Sequence, residues 1–244
     1  ADGYFYGTTS GGGKAPFAGG TVFKWRPAAG ANPAEFTTLA QFNGASASGS
    51  FPAGAQPESP LIDGGDGWLY GTTSNGGAGG FGTIYRVPVA GGAAQTRVQF
   101  TGVGGARPGK LPVGGLVKFT SQGQTLLWGT TFYGSTGSAD QGTLYSYDPA
   151  ANSFVSRFDF RSVDLPGYGP SGTLLAHKGL LYGTCKFGGT GGRGTVWTYN
   201  PYGGAMAVVR AFDAPGTARH ASYPLAGLTA GPDGALYGTT SESY

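Results

Sequence analysis

Charge is scarce in this chain. Asp, Glu, Lys and Arg make up 11% of its 244 residues and leave a net charge of +3, against roughly 25% charged residues in an ordinary soluble domain. Neither Lys nor Arg forms a cluster, so the basic footprint that nucleic acid requires is missing. Cysteine occurs once, at Cys185, which excludes an intrachain disulfide. The two histidines, His177 and His220, stand outside any metal-ligand spacing, so neither a metal nor another cofactor is expected. No apolar run approaches the roughly eighteen residues of a membrane span. Apolar residues recur nowhere at a sustained helical spacing. No signal peptide opens the chain, which starts abruptly at a turn, Ala1-Asp2-Gly3; the expectation is a mature product or a window from something longer.

Glycine, by contrast, is abundant. The 50 Gly and 16 Pro residues together are about 27% of the chain, a level at which disorder becomes a fair prior. Two features argue for order: the aromatic content is 14%, and the glycines are locked to a repeat. A core of Tyr-Gly-Thr-Thr occurs five times, as Tyr6–Thr9, Tyr70–Thr73, Trp128–Thr131, Tyr182–Cys185 and Tyr237–Thr240, at spacings of 64, 58, 54 and 55 residues. A period of that size signals one supersecondary unit stacked several times.

Aligned on these cores, each unit carries four strand signals. The first contains Pro or Leu and a small-residue step, as in Pro224-Leu225-Ala226-Gly227-Leu228. A tight turn follows, such as Asp233-Gly234 or Gly65-Asp66-Gly67, where glycine accepts positive φ. The second strand is the core itself, whose recurrent glycine marks a close backbone approach or a bulge. After a Gly-rich loop the third strand reads Gly-Thr-apolar-aromatic, beginning at Gly20, Gly82, Gly142 and Gly194. The fourth ends on an aromatic: Phe42, Phe100, Phe160 or Phe212. Four antiparallel strands in such a unit describe an all-β fold, a β-propeller blade; a β-solenoid, with shorter repeats, is the main alternative. The expectation is a single propeller domain over 1–244, with repeats near 1–56, 57–110, 111–169 and 170–223 and a partial one at 224–244. The partial copy leaves two readings, a truncated fifth blade or a piece of a longer propeller, and the second is favoured.

These motifs, Leu-Tyr-Gly-Thr-Thr-Ser, Gly-Thr-Val-Phe and a later Pro-x-x-Gly-Leu before Asp-Gly, resemble the "GloVer" tandem repeat, named for Gloeobacter and Verrucomicrobia and described in choice-of-anchor proteins. The resemblance covers essentially the whole chain and is closest at Tyr70–Ser74 and Leu236–Ser241; Trp128 and Cys185 depart from it. It implies a bacterial protein that is extracellular, at the cell surface or periplasmic, often tethered by a separate C-terminal sorting segment. No reaction or catalytic residue comes with the family.

Bottom-up chemistry is equally sparse. Asp63-Gly64-Gly65-Asp66-Gly67 offers too few oxygens for a calcium loop and reads as a turn. Cys185 fills a threonine slot and reads as a small buried residue, although Lys186 is adjacent. No spacing singles out a carboxylate pair for glycoside hydrolysis, and no Gly-rich loop precedes a helix to cradle phosphate. Alternating strand directions send the loops between strands two and three and between strands four and one to one face. The expected ligand-binding residues on that face are Arg107, Tyr133, Tyr168, Arg193, Arg219 and His220, because aromatic and cationic loop tips suit sugar or protein recognition. The leading expectation is a non-enzymatic scaffold or interaction module with protein partners. The alternative is a glycan-binding propeller or an extracellular polysaccharide lyase or hydrolase.

Overall fold

The computed structural model describes residues 2–14, 19–30, 32–42, 51–161, 166–212 and 221–242, and the described residues contain strands and turns but no helix. They form two compact units, Ala1–Phe100 and Thr101–Tyr244.

In the first unit, β1 (Phe5–Thr9), β2 (Thr21–Arg26) and β3 (Glu35–Gln41) form a three-stranded meander. Four strands follow as a second meander: β4 (Ile62–Asp63), β5 (Trp68–Thr73), β6 (Thr83–Pro88) and β7 (Gln95–Gln99). The second unit opens with β8 (Val117–Ser121), β9 (Gln124–Thr131), β10 (Thr143–Asp148) and β11 (Ser153–Asp159), again a four-stranded sheet. In the next sheet β12 (Tyr168–Pro170) and β13 (Leu175–His177) both pair with β14 (Leu180–Phe187), which continues to β15 (Thr195–Tyr199) and β16 (Met206–Ala211). Two short pairs close the unit: β17 (Ser222–Pro224) with β20 (Thr240–Glu242), and β18 (Thr229–Ala230) with β19 (Leu236–Tyr237). All named ladders are antiparallel, and the fold is a β-propeller of four-stranded blades.

The core glycine has a specific job. In register, Gly7 faces Phe23, Gly71 faces Tyr85, Gly129 faces Tyr145 and Gly183 faces Trp197. A Cβ on these glycines would sit 2.6, 2.6, 2.4 and 2.2 Å from the facing aromatic. The third-strand ring therefore lies across the second strand where a side chain would otherwise stand. The expected close approach is present, but its partner is a side chain rather than backbone. A bulge is also present, one strand further out. Between the third and fourth strands the register shifts at Val22/Phe23, Ile84/Tyr85, Leu144/Tyr145 and Val196/Trp197, always just before that aromatic.

The first strand differs from its expected form. Residues 225–228 lie outside strands, and the pairing is carried by β17 before them and β18 after them. The same break separates β12 from β13. Its cause is crowding between neighbouring blades. A Cβ on Gly172 would be 2.3 Å from the Gly227 nitrogen, and one on Gly114 would be 2.7 Å from the Gly172 carbonyl oxygen. Backbone carbonyls there turn to the preceding blade instead of to a ladder. The Thr184 hydroxyl donates to the Ala226 carbonyl (3.1 Å), and the Thr8 hydroxyl donates likewise to Ser59 (3.1 Å).

The proline that starts this segment clips blades together. Pro57, Pro170 and Pro224 each place Cδ 2.6 Å from where a Cβ would stand on Gly20, Gly142 and Gly194, whose φ values are +104°, +108° and +103°. Only glycine suits both demands. The residue before each proline also holds positive φ: Gln56 (58°), Leu111 (59°), Gly169 (64°) and Tyr223 (57°). In three of these blades its N–H reaches the preceding blade's loop: Gln56 to the Gly19 carbonyl (2.7 Å), Gly169 to Gln141 (3.0 Å) and Tyr223 to Arg193 (2.8 Å). The backbone strain of a non-glycine residue in this region, of order 1–3 kcal/mol, is held in place by these contacts.

Each unit has its own core. Val22, Phe42, Leu69, Tyr85 and Val87 anchor the first. Trp128, Leu144, Phe160, Leu181, Trp197 and Tyr199 anchor the second. Cys185 belongs to the second core and is fully buried. Burial pushes its thiol pKa far up, against weaker opposing effects of Trp197 and Thr195, so it has the character of an inert packing residue.

Candidate functional site

The aspartates of the turns are engaged in turn chemistry. Asp66 accepts the Trp68 N–H (3.2 Å) and the Tyr70 hydroxyl (2.8 Å), while Asp63 accepts the Gly65 N–H (2.9 Å). Asp2 does the same for Tyr4 and Tyr6, and Asp233 for Ala235 and Tyr237. An Asp-Gly-x-x-Tyr clip thus recurs in three copies. The first of its hydrogen bonds from tyrosine, then that from the backbone, holds the Asp2 and Asp233 carboxyls below their usual range. Burial first, and the aspartate second, pushes Tyr6 and Tyr70 up to about 12. Among the described residues no group of three or more His, Cys, Asp or Glu side chains is gathered as a metal ion would require. His177, in β13, packs its ring against Tyr182 at 6.2 Å.

Residues at the strand ends and loops of the second unit form a continuous aromatic ladder instead. Tyr133 meets Phe132 edge-on at 4.7 Å, Phe132 meets Phe187 at 6.5 Å, and Phe187 stacks on Tyr168 at 5.2 Å. Phe187 also meets Tyr223 edge-on at 5.9 Å. Cations border the ladder: Lys110 lies 5.4 Å from the Tyr133 centroid, Lys186 5.0 Å from Phe187, and Arg193 5.3 Å from Tyr223. Arg193 also donates to the Tyr223 hydroxyl (2.7 Å). Lys110 is neutralised by Asp140 at 2.7 Å, whereas Lys186 and Arg193 take part in none of the ion pairs among the described residues. Beside Phe132 and Tyr133 lies an open depression of about 410 Å³, floored by Val113, Ser171 and Leu225. These three follow Pro112, Pro170 and Pro224, so successive blades each contribute one residue to the floor.

Of the six residues the sequence points to, Tyr133, Tyr168 and Arg193 come together in this ladder. Arg107 is exposed on the 101–109 loop, outside these contacts. Arg219 and His220 lie outside the described residues. Phe187 and Tyr223, which hold the ladder together, are not among those six. The missed signal is repeat equivalence. Lys110 pairs with Tyr133, Tyr168 with Phe187, and Ser222 with Glu242, and the same slot holds Ala55 and Asn75 in the first unit. One structural position is thus decorated differently in each blade. In the second unit Tyr133, Tyr168 and Phe187 stand in this slot beside Lys110, Ser222 and Glu242, whereas the described pair of the first unit is Ala55 and Asn75.

A ladder of rings, with cations against three of them, is suited to stacking on a planar or ring-bearing ligand.

The similarity to known proteins is one of fold. A chain of the nidogen/laminin complex superposes with a TM-score of 0.54 at 15% identity, over 93% of this chain and 65% of that one. A protein of Bacteroides uniformis assigned as a 6-phosphogluconolactonase gives 0.54 at 14% identity, over 99% of this chain and 62% of that one. The chain therefore spans less than two thirds of these relatives' length. No curated protein matches. The model of the Gloeobacter/Verrucomicrobia repeat matches residues 1–136 and 109–244, so every residue is covered, and the chain belongs to that repeat family.

Proposed function

We propose that this chain is a non-catalytic interaction module of an extracellular or cell-surface bacterial assembly, and that it binds through the aromatic ladder of the second unit. The observation that carries this reading is the run Tyr133–Phe132–Phe187–Tyr168, joined at Phe187 by Tyr223 and edged by Lys186 and Arg193. Rings of this kind supply contact area at small entropic cost, which is why aromatic residues and arginine concentrate at binding hot spots. The nidogen/laminin complex supplies a precedent for this fold within a protein–protein assembly.

A glycan ligand is the second reading. It is favoured by the Tyr133 ring, 42% exposed beside the depression, since sugars present an apolar face that stacks on such rings. The test is to immobilise the purified chain and offer fractionated bacterial surface glycans and surface proteins separately. Saturable retention of one class, chemically unchanged and lost in Phe187→Ala, is the expected result. Release of a cleaved product, or retention indifferent to Phe187→Ala, would contradict it.

A further inference from the structure

The third blade lacks the Asp-Gly-x-x-Tyr clip, and both of the clip's hydrogen-bonding positions are altered there. Asp2, Asp66 and Asp233 accept the hydroxyls of Tyr6, Tyr70 and Tyr237, four residues further on. The third copy has Gln124 and Trp128 at these two positions. The fourth keeps its phenol, Tyr182, and changes the acid to Lys178. Gln124 is committed elsewhere, because its Nε2 donates to Asp148 (2.8 Å). The other Asp148 oxygen accepts the Ala150 and Ala151 N–H groups (2.8 and 3.1 Å). Trp128 thus keeps a donor at the aromatic position of the clip, while the acceptor has been lost. Its Nε1–H is buried without a hydrogen-bond partner among the described residues, a state that native proteins seldom leave unanswered.

A pocket of about 220 Å³ lies at this place. Trp128, 2% exposed, is its buried member, and Gln122, Gln124 and Arg157 are exposed at its rim. Phe119 and Pro201, one from each of two neighbouring blades, give it an apolar side. The Arg157 guanidinium stands 5.3 Å from the Trp128 ring centroid. Its Nε–H donates to the Ser146 hydroxyl (2.8 Å), and Arg157 takes part in none of the ion pairs among the described residues. An unpaired cation and an unpaired N–H therefore border one small pocket. Both call for an acceptor, and the planar guanidinium fork matches a carboxylate.

We infer that this pocket binds a sugar acid, a monosaccharide unit carrying one carboxylate. The ligand's carboxylate takes the place of the aspartate lost from the clip, between Arg157 and the Trp128 N–H. The volume is below the roughly 300–1,000 Å³ of drug-sized sites, which limits the occupant to a single sugar ring. Its hydroxyls meet Ser121, Gln122 and the Gln124 carbonyl oxygen, and its C–H face lies on Phe119 and Pro201. A bare anion would leave these groups unused. The site shares no residue with the aromatic ladder, so Phe187→Ala should leave it unaffected, and failure of either proposal leaves the other standing.

The test follows the indole N–H resonances of the 4 tryptophans by NMR, in the isotope-labelled full chain, during titration with D-glucuronate or D-galacturonate. A saturable shift of the Trp128 resonance is expected with at least one of the two, while the other indoles stay in place. The neutral sugars D-glucose and D-galactose, and acetate, should each bind at least tenfold more weakly. Arg157→Gln, at an exposed position, should weaken uronate binding at least tenfold with its melting temperature unchanged. If that variant proves unfolded, the comparison of ligands on the wild-type chain decides alone. Absence of a saturable shift with both uronates would overturn the inference, as would equal affinity for the neutral sugars or a shift confined to another indole. Acetate binding as tightly as the uronates would show an anion site only, and would overturn the assignment to a sugar acid.

Discussion

At the scale of single residues, glycine is where this sequence is least replaceable, and for two separate reasons. Gly183 lacks room: a Cβ there would meet Trp197 at 2.2 Å. Gly183→Ala should lower stability by about 1–3 kcal/mol, the range for overpacking a filled site. Gly203, whose nearest neighbour would be 3.6 Å from a Cβ and whose φ is not positive, is the control. Its Ala variant should stay within about 0.5 kcal/mol of wild type. Urea denaturation of the pair checks this, and equal effects would contradict the role assigned to Trp197. The Asp-Gly-x-x-Tyr clip makes a different residue-scale prediction. Tyr70 is pushed up to about 12, by burial first and by Asp66 second, against about 10 for an unfolded chain. The fold therefore favours the neutral phenol. That stabilisation is complete below about pH 10 and lost as pH rises through about 12. Stability of Tyr70→Phe should consequently fall less between pH 9 and pH 12 than that of wild type; parallel profiles would contradict the raised phenol pKa.

At the scale of elements, the joint between blades is made of one glycine, one proline and one residue of positive φ. Gly142→Ala tests it, because a Cβ there would stand 2.6 Å from both Pro170 Cδ and the Thr131 carbonyl oxygen at a φ of +108°. A loss of more than about 2 kcal/mol is expected, read as a fall in Tm, and an unchanged Tm would show the joint to be slack. Most of the blade was legible in sequence because its punctuation is local. Glycine turns, Gly-Thr starts and terminal Phe residues mark β5 to β7 and β9 to β11 in the right order. The terminal Phe even keeps a common backbone role, with Phe42, Phe100, Phe160 and Phe212 donating N–H to Gly20, Gly82, Gly142 and Gly194. The split first strand was not legible, since what breaks it is the neighbouring blade's backbone at Gly172 and Gly227. The bulge before each third-strand aromatic was hidden for a related reason: it depends on register across two strands. In the site, Tyr133, Tyr168 and Arg193 stood out as loop residues. Phe187 and Tyr223 did not, because their importance lies in touching each other across blades.

At the scale of the whole molecule, the repeat distributes one architecture and concentrates difference in its loops. Stability in such arrays is a sum of unit and neighbour terms, which leaves slots at the blade ends free to vary. Positions 55 and 75 in the first unit hold Ala and Asn, and positions 168 and 187 in the second hold Tyr and Phe. Binding is therefore expected to reside in the Thr101–Tyr244 unit. The whole chain's low net charge, +3 over 244 residues, gives little long-range steering, so affinity should depend on ring contacts more than on ionic strength. The most direct measurement is calorimetric titration of the retained surface ligand into wild type and into Tyr133→Ala/Phe187→Ala. The expected result is at least a tenfold loss of affinity in the double variant, with its β-sheet circular dichroism and cooperative melting retained. Equal affinity in a folded double variant would show that the aromatic ladder is not the binding face.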